Sequence, residues 1–145
     1  MHEVVTSLDD LSVFAEKVKQ NLDPHDEHAT VLALTGDLGA GKTAFTKELA
    51  KHLGVAEHIT SPTFVLAKTY DLSGQKYNHL IHIDAYRLEG NEGLEPTGFP
   101  DLLKDPSNLI VIEWPERIAK EVPSHAISME ITINTDGDRE ITYGE

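Results

Sequence analysis

Residues Gly36-Asp37-Leu38-Gly39-Ala40-Gly41-Lys42-Thr43 have the types and spacing to hold a chain of phosphates. They spell G-x-x-x-x-G-K-[ST]. The glycines permit a tight turn that aims successive backbone N–H groups at an anion. Lys42 is long enough to reach β- and γ-phosphates, and the Thr43 hydroxyl can ligate Mg²⁺. A helix starting here adds the positive end of its dipole. Such a site also needs an acid to hold the metal or orient water, usually at the end of an apolar strand. Asp84 ends the run Leu80-Ile81-His82-Ile83, and Glu113 ends Leu109-Ile110-Val111-Ile112. Either acid could touch the metal directly while the other acts through water.

The flanking residues supply the context that the motif requires. Thr30-Val31-Leu32-Ala33-Leu34-Thr35 is a short, β-prone apolar run, as a buried strand should be. From Ala44 to Leu53, Phe45, Leu49 and Leu53 recur at helical spacing, and Gly54 stands where a helix C-terminal glycine belongs. A glycine-rich turn with an exposed lysine would need neither element. Thr60-Ser61-Pro62-Thr63 follows the helix, where P-loop proteins often keep a segment that senses the γ-phosphate. Its hydroxyls suit Mg²⁺ or phosphate, and equally an ordinary Ser-Pro turn. Trp114, the single tryptophan, directly follows Glu113 and reads either as a neighbour of the nucleotide or as a core aromatic.

The remaining elements follow from pattern. Ser7 is placed to cap a helix whose face is Leu11, Phe14, Val18 and Leu22. Asn21 to His28 is a polar loop. Strands are expected over Phe64–Tyr70 and Tyr77–Asp84, joined by the turn Asp71–Lys76 as a hairpin. Residues 88 to 107, with Pro96, Pro100 and Pro106, predict short helices and loop. Asn108–Glu113 is the most strand-like run, and Pro115–Lys120 suits a short helix. Ile127, Met129, Ile131 and Ile133 alternate before Asp136-Gly137, then Ile141 and Tyr143, which reads as a terminal hairpin. The expected fold is a single P-loop NTPase-like domain over residues 1–145. It is a three-layer α/β arrangement with a central, largely parallel sheet and antiparallel hairpins.

Composition narrows the function classes. No apolar run approaches the ~20 residues of a membrane span, and the N-terminus does not read as a signal peptide. There are no cysteines, which excludes disulfides and zinc–thiolate sites and fits a cytoplasmic protein. A net charge of −13 argues against a broad electrostatic face for nucleic acid, so any RNA contact needs a partner's basic surface. The three arginines, Arg87, Arg117 and Arg139, limit the choice of an internal arginine finger. The histidines are scattered. His25 and His28 share a loop, His79 and His82 fall on opposite faces of one strand, and none forms a metal set.

Four ordered motifs carry a family resemblance. They are the loop Gly36–Thr43, Ser61-Pro62-Thr63-Phe64, His82-Ile83-Asp84-Ala85-Tyr86-Arg87-Leu88 and Glu113-Trp114-Pro115. From the loop to Pro115, and in length, the chain resembles the bacterial tRNA threonylcarbamoyladenosine biosynthesis ATPases, the TsaE or YjeE family. The resemblance implies that Lys42 and Thr43 hold ATP and Mg²⁺, that the segment with Thr63 is a switch, and that Asp84 is the Walker B-like acid. It puts Glu113 near the metal or the attacking water and Trp114 near the nucleotide, with the N-terminal region and terminal hairpin near the base. Family members act with TsaB and TsaD, which with TsaC make the threonylcarbamoyl modification on adenosine 37 of tRNAs reading ANN codons. TsaE does not transfer the group, and its ATP hydrolysis resets the complex. After Leu88 the chain departs from the pattern: Gly93 follows Glu92, and Pro96 and Pro100 flank Gly98, although Asp101 still aligns.

Two other readings compete. A small P-loop kinase needs a second substrate pocket and basic lid residues, for which three arginines leave little material. A regulatory module that binds ATP without turnover would have no need of Lys42, Thr43, Asp84 and Glu113 together. No Asn-Lys-x-Asp motif is present to read guanine.

Overall fold

The computed structural model describes residues 2–37, 39–55, 67–86 and 98–144. Its elements run β1 (His2–Val5), α1 (Leu8–Asn21), β2 (Thr30–Thr35), α2 (Lys42–His52), β3 (Ala67–Asp71), β4 (His79–Asp84), α3 (Phe99–Leu103), β5 (Asn108–Glu113), β6 (Ile127–Ile133) and β7 (Arg139–Tyr143). The described strands form one sheet in the order β1-β7-β6-β2-β5-β4-β3. β6, β2, β5 and β4 are mutually parallel, while β7, β1 and β3 pair antiparallel at the flanks. The expected β3–β4 and β6–β7 hairpins are both present.

Strands β2, β5 and β4 read as continuous apolar runs because both of their faces are covered, whereas β6 alternates and buries one face. Period-2 alternation sends Leu32, Leu34, Leu80, Leu109 and Val111 to the face covered by α1 and α2, where they meet Phe14, Val18, Phe45 and Leu49. Val31, Ile81, Ile83, Ile110 and Ile112 go to the other face, with Phe99 of α3 and Ile118. α1 starts where Ser7 accepts a hydrogen bond from the Asp10 N–H. Loss of such a cap costs about 1 kcal/mol.

Four local readings change. β1 was not legible as a strand; it pairs with β7 from His2↔Thr142 to Val5↔Arg139. β4 begins at His79, because Tyr77 turns inward and its hydroxyl lies 2.8 Å from Thr30 Oγ1. The short helix after Pro115 is a 3₁₀ turn over Pro115–Ile118, closed by an Arg117 N–H bond to the Trp114 carbonyl. Ile133, at the end of the alternating run, is half exposed. Residues 64–66 of the expected strand lie outside the described residues, as do residues 88–97.

At the N-terminal end of the sheet, remote from the P-loop, three imidazoles gather. His28 stacks on His125 at 3.6 Å between centroids, and His25 lies 4.2 Å from His28. Burial, then the neighbouring His28, holds His125 below the ordinary value of 6.5, against a hydrogen bond with the Ala29 backbone. The unfolded chain therefore binds the proton more readily than the folded one. This contribution to stability is complete above pH 6.5 and is lost as the pH falls through the lower folded value. The urea midpoint should drop between pH 7.5 and pH 5.5, and drop less in His125→Gln. An equal drop in both proteins would locate the acid sensitivity elsewhere.

Candidate functional site

β2 delivers the chain to the P-loop at its C-terminal end, and α2 leaves from it. Gly36 is required by a close approach as well as by its positive φ. A Cβ there would stand 2.1 Å from the Ile131 carbonyl oxygen on β6. Gly39 and Gly41 also take positive φ, at 82° and 110°. Arg139, from the start of β7, holds this loop from behind. Its Nε donates to the Ala40 carbonyl at 2.9 Å and its Nη2 to Gly39 at 3.5 Å. With carbonyls drawn to the guanidinium, N–H groups of the loop are left to face an anion.

Lys42 is 4% exposed and makes its bonds inside the loop. Its ammonium donates to the Gly36 carbonyl and, at 3.3 Å, to Asp37, and it lies 3.7 Å above the Trp114 ring. Burial lowers its pKa, and the charges of Glu113, Glu116, Asp84 and Asp37 oppose that shift. The lysine is thus a cation partly stripped of water and held by weak carbonyl and ring contacts, which a phosphate chain can replace.

Thr43 is in the first turn of α2, and its hydroxyl donates to Glu113 Oε1 at 2.9 Å, with Oε2 at 3.1 Å. Register explains how the acid reaches it. β4 and β5 pair parallel with Asp84↔Glu113, and β2 pairs with β5 at Leu34↔Glu113. Leu80, His82 and Asp84 share a parity, as do Leu109, Val111 and Glu113, and this is the α2 face of both strands. The two predicted acids are therefore neighbours at the C-terminal edge, where ligands bind in open α/β sheets. Glu113 is 3% exposed and also meets His82 Nε2 at 2.5 Å. Asp84 is half-buried, and its Oδ1 accepts from the Tyr86 N–H at 3.0 Å.

Trp114 is packed against the core and also borders the Gly36–Thr43 loop. Its ring packs against the apolar cluster of Ile112 and Ile118 while meeting Lys42 on one side and Tyr86 at 4.9 Å. Its backbone has φ 61°, the one positive value at a described non-glycine residue. Such a conformation costs on the order of 1–3 kcal/mol and clusters at functional sites.

The donor set fits magnesium bound with a nucleotide. Mg²⁺ takes one or two carboxylates plus phosphates and water rather than a dedicated protein cage. Accordingly, Thr43, Glu113 and Asp84 converge at one edge, while no cage of three or more His, Cys, Asp or Glu exists among the described residues. Beside the loop lies a cleft of about 240 Å³, between Thr6–Leu8, Gly41 and the β6–β7 turn with Arg139. Arg139 was expected only as a candidate arginine finger, and its hold on the loop follows from β6 lying between β7 and β2, while the cleft also needs β1 beside β7. Of the expected site residues, Leu38 and the Ser61-Pro62-Thr63-Phe64 segment lie outside the described residues, as do Arg87 and Leu88.

Gly36→Ala should cost about 2–4 kcal/mol, since it combines unfavourable φ with the Ile131 overlap. Gly39→Ala, where a Cβ meets nothing within 4 Å, should cost about 1–2 kcal/mol. Urea unfolding without nucleotide separates them. Equal losses would mean that the approach to β6 is not a constraint.

A family model for the threonylcarbamoyl adenosine biosynthesis protein TsaE matches residues 5–141. The tRNA threonylcarbamoyladenosine biosynthesis protein TsaE of Treponema pallidum is 41% identical over 116 residues, covering 80% of this chain and 82% of that protein. The Rickettsia prowazekii protein of the same name is 38% identical over 127 residues, covering 87% and 82%. The crystal structure of YdiB from Bacillus subtilis superposes with a TM-score of 0.77 at 27% identity, covering 99% of this chain and 83% of that one. This chain belongs to the TsaE family of threonylcarbamoyl adenosine biosynthesis proteins.

Proposed function

We propose that this chain is a magnesium-dependent ATPase subunit for threonylcarbamoylation of adenosine 37 in tRNAs that read ANN codons. Its turnover resets a complex of TsaB and TsaD in the cytoplasm. The observation that carries the ATPase reading is the hydrogen bond between Thr43 and Glu113 beneath the P-loop lysine. A hydroxyl and a carboxylate already in contact can open to hold one small cation. Magnesium, when bound with ATP, would supply charge neutralisation between the β- and γ-phosphates. The chain's own residues do the rest. Lys42, now on the Gly36 and Asp37 carbonyls, would hold phosphate oxygens, and Thr43 and Glu113, now bonded to each other, would hold the metal. Asp84, or Glu113 through its second oxygen, orients the attacking water. The nucleoside would lie in the cleft beside Gly41 and Arg139.

The arginines favour help from a partner. Arg139 already has its donors on the Ala40, Gly39 and Gly137 carbonyls. Arg117 sits over the Tyr86 ring at 5.5 Å, and Arg87 lies outside the described residues. A cation from TsaB or TsaD would complete the charge stabilisation, as arginine fingers in trans do. The net charge of −13 likewise assigns tRNA contact to the partners.

ATP turnover by the purified protein should be slow and should rise when TsaB and TsaD are added. Lys42→Ala should lower the stimulated rate about 10²–10³-fold, the loss typical of one transition-state donor. Turnover indifferent to the partners and to Lys42→Ala would overturn the proposal. Tight ATP binding with no turnover in any mixture would leave a regulatory module.

A further inference from the structure

His82 has no duty in the scheme above, yet it is the most unusual buried residue of the sheet. It is 0% exposed on the inner face of β4, and its same-face neighbours on the central strands are Leu80, Leu109, Val111, Leu32 and Leu34. A leucine would suit that position. The imidazole instead brings two polar nitrogens into a dry layer. Nδ1 finds no hydrogen-bond partner among the described residues, a costly placement for a buried polar atom. Nε2 lies 2.5 Å from Glu113 Oε2. A carboxylate only accepts, which assigns the proton to Nε2 and makes His82 the donor.

We infer that His82 is a positioning residue that sets the orientation of Glu113 toward Thr43 and the metal. This rests on the magnesium–nucleotide reading of the site. With the His82 N–H fixed on Oε2, the carboxylate stays turned toward the Thr43 hydroxyl, which lies 2.9 Å from Oε1 and 3.1 Å from Oε2. Both donors come from rigid elements, β4 and the first turn of α2, so the carboxylate is held between them. A ligand oxygen that is already oriented loses less freedom when a cation arrives. Removing His82 leaves Glu113 with one donor and free to rotate about its side chain. Such a role predicts that loss of His82 weakens metal binding and leaves nucleotide affinity in the absence of metal unchanged.

The test compares His82→Leu with His82→Gln, whose amide can reach Glu113 from the same strand position. In crystals of the free proteins, the Thr43–Glu113 hydrogen bond should persist in His82→Gln and be lost in His82→Leu. By Trp114 fluorescence, the Mg²⁺ concentration for half-maximal ATP binding should rise about tenfold or more in His82→Leu. It should rise no more than about threefold in His82→Gln, with metal-free ATP binding unchanged in both. A His82→Leu protein that keeps the Thr43 bond and the wild-type Mg²⁺ midpoint would overturn the inference. So would equal impairment of both variants, which would reduce His82 to packing. If His82→Leu does not fold, His82→Asn takes its place, being polar but too short to reach Glu113. The free-protein crystals do not depend on turnover. Loss of the Thr43 bond in His82→Leu, alongside a wild-type protein that neither binds nor hydrolyses ATP, would sink the ATPase reading and leave the positioning role intact.

Discussion

The site depends on a carboxylate kept in a place where water does not reach it. Glu113 is 3% exposed at the end of a strand buried along its whole length. An isolated charge there would be strongly disfavoured, and it is tolerated because donors meet both of its oxygens. Thr43 donates from α2 and His82 from β4. The hydroxyl and the carboxylate hold one another, and in the proposed function a cation would replace their bond.

Everything else in the fold serves to bring those three residues together. Two parallel pairings, β2 with β5 and β5 with β4, set Leu34, Glu113 and Asp84 side by side. A slip of one residue in the β5–β4 pairing would place the two acids on opposite faces of the sheet. The flanking antiparallel strands do different work. β7 carries Arg139 to the back of the P-loop, and β1 closes the cleft at the N-terminal side. Gly36 lets β2 run against β6 without displacing the loop.

What was legible in the sequence was what local pattern encodes. The P-loop, its strand and helix, the Ser7 cap and both hairpins are short-range signals, and they stand where the residues put them. Asp84 and Glu113 could be named because an acid ending an apolar run has a recognised use beside a P-loop. That they adjoin each other, with His82 behind them, depends on strand order and register, which periodicity alone does not give. β1 was missed because four residues of mixed polarity carry no alternation signal. Arg139 was named only as one of three candidates for an arginine finger, and its place behind the loop was not legible because its partners, Ala40 and Gly39, are 99 and 100 residues away. His25, His28 and His125 form a cluster only because the starts of β2 and β6 adjoin.

The central claim is that Glu113 exchanges its bond with Thr43 for a metal ion brought with the nucleotide. Calorimetric titration of a non-hydrolysable ATP analogue, with and without Mg²⁺, into wild-type protein and Glu113→Gln tests it most directly. The account predicts that Mg²⁺ tightens binding to the wild type by about tenfold or more, some 1.4 kcal/mol. It predicts that Glu113→Gln loses most of that gain while binding the metal-free analogue as the wild type does. An undiminished Mg²⁺ effect in Glu113→Gln would contradict the account.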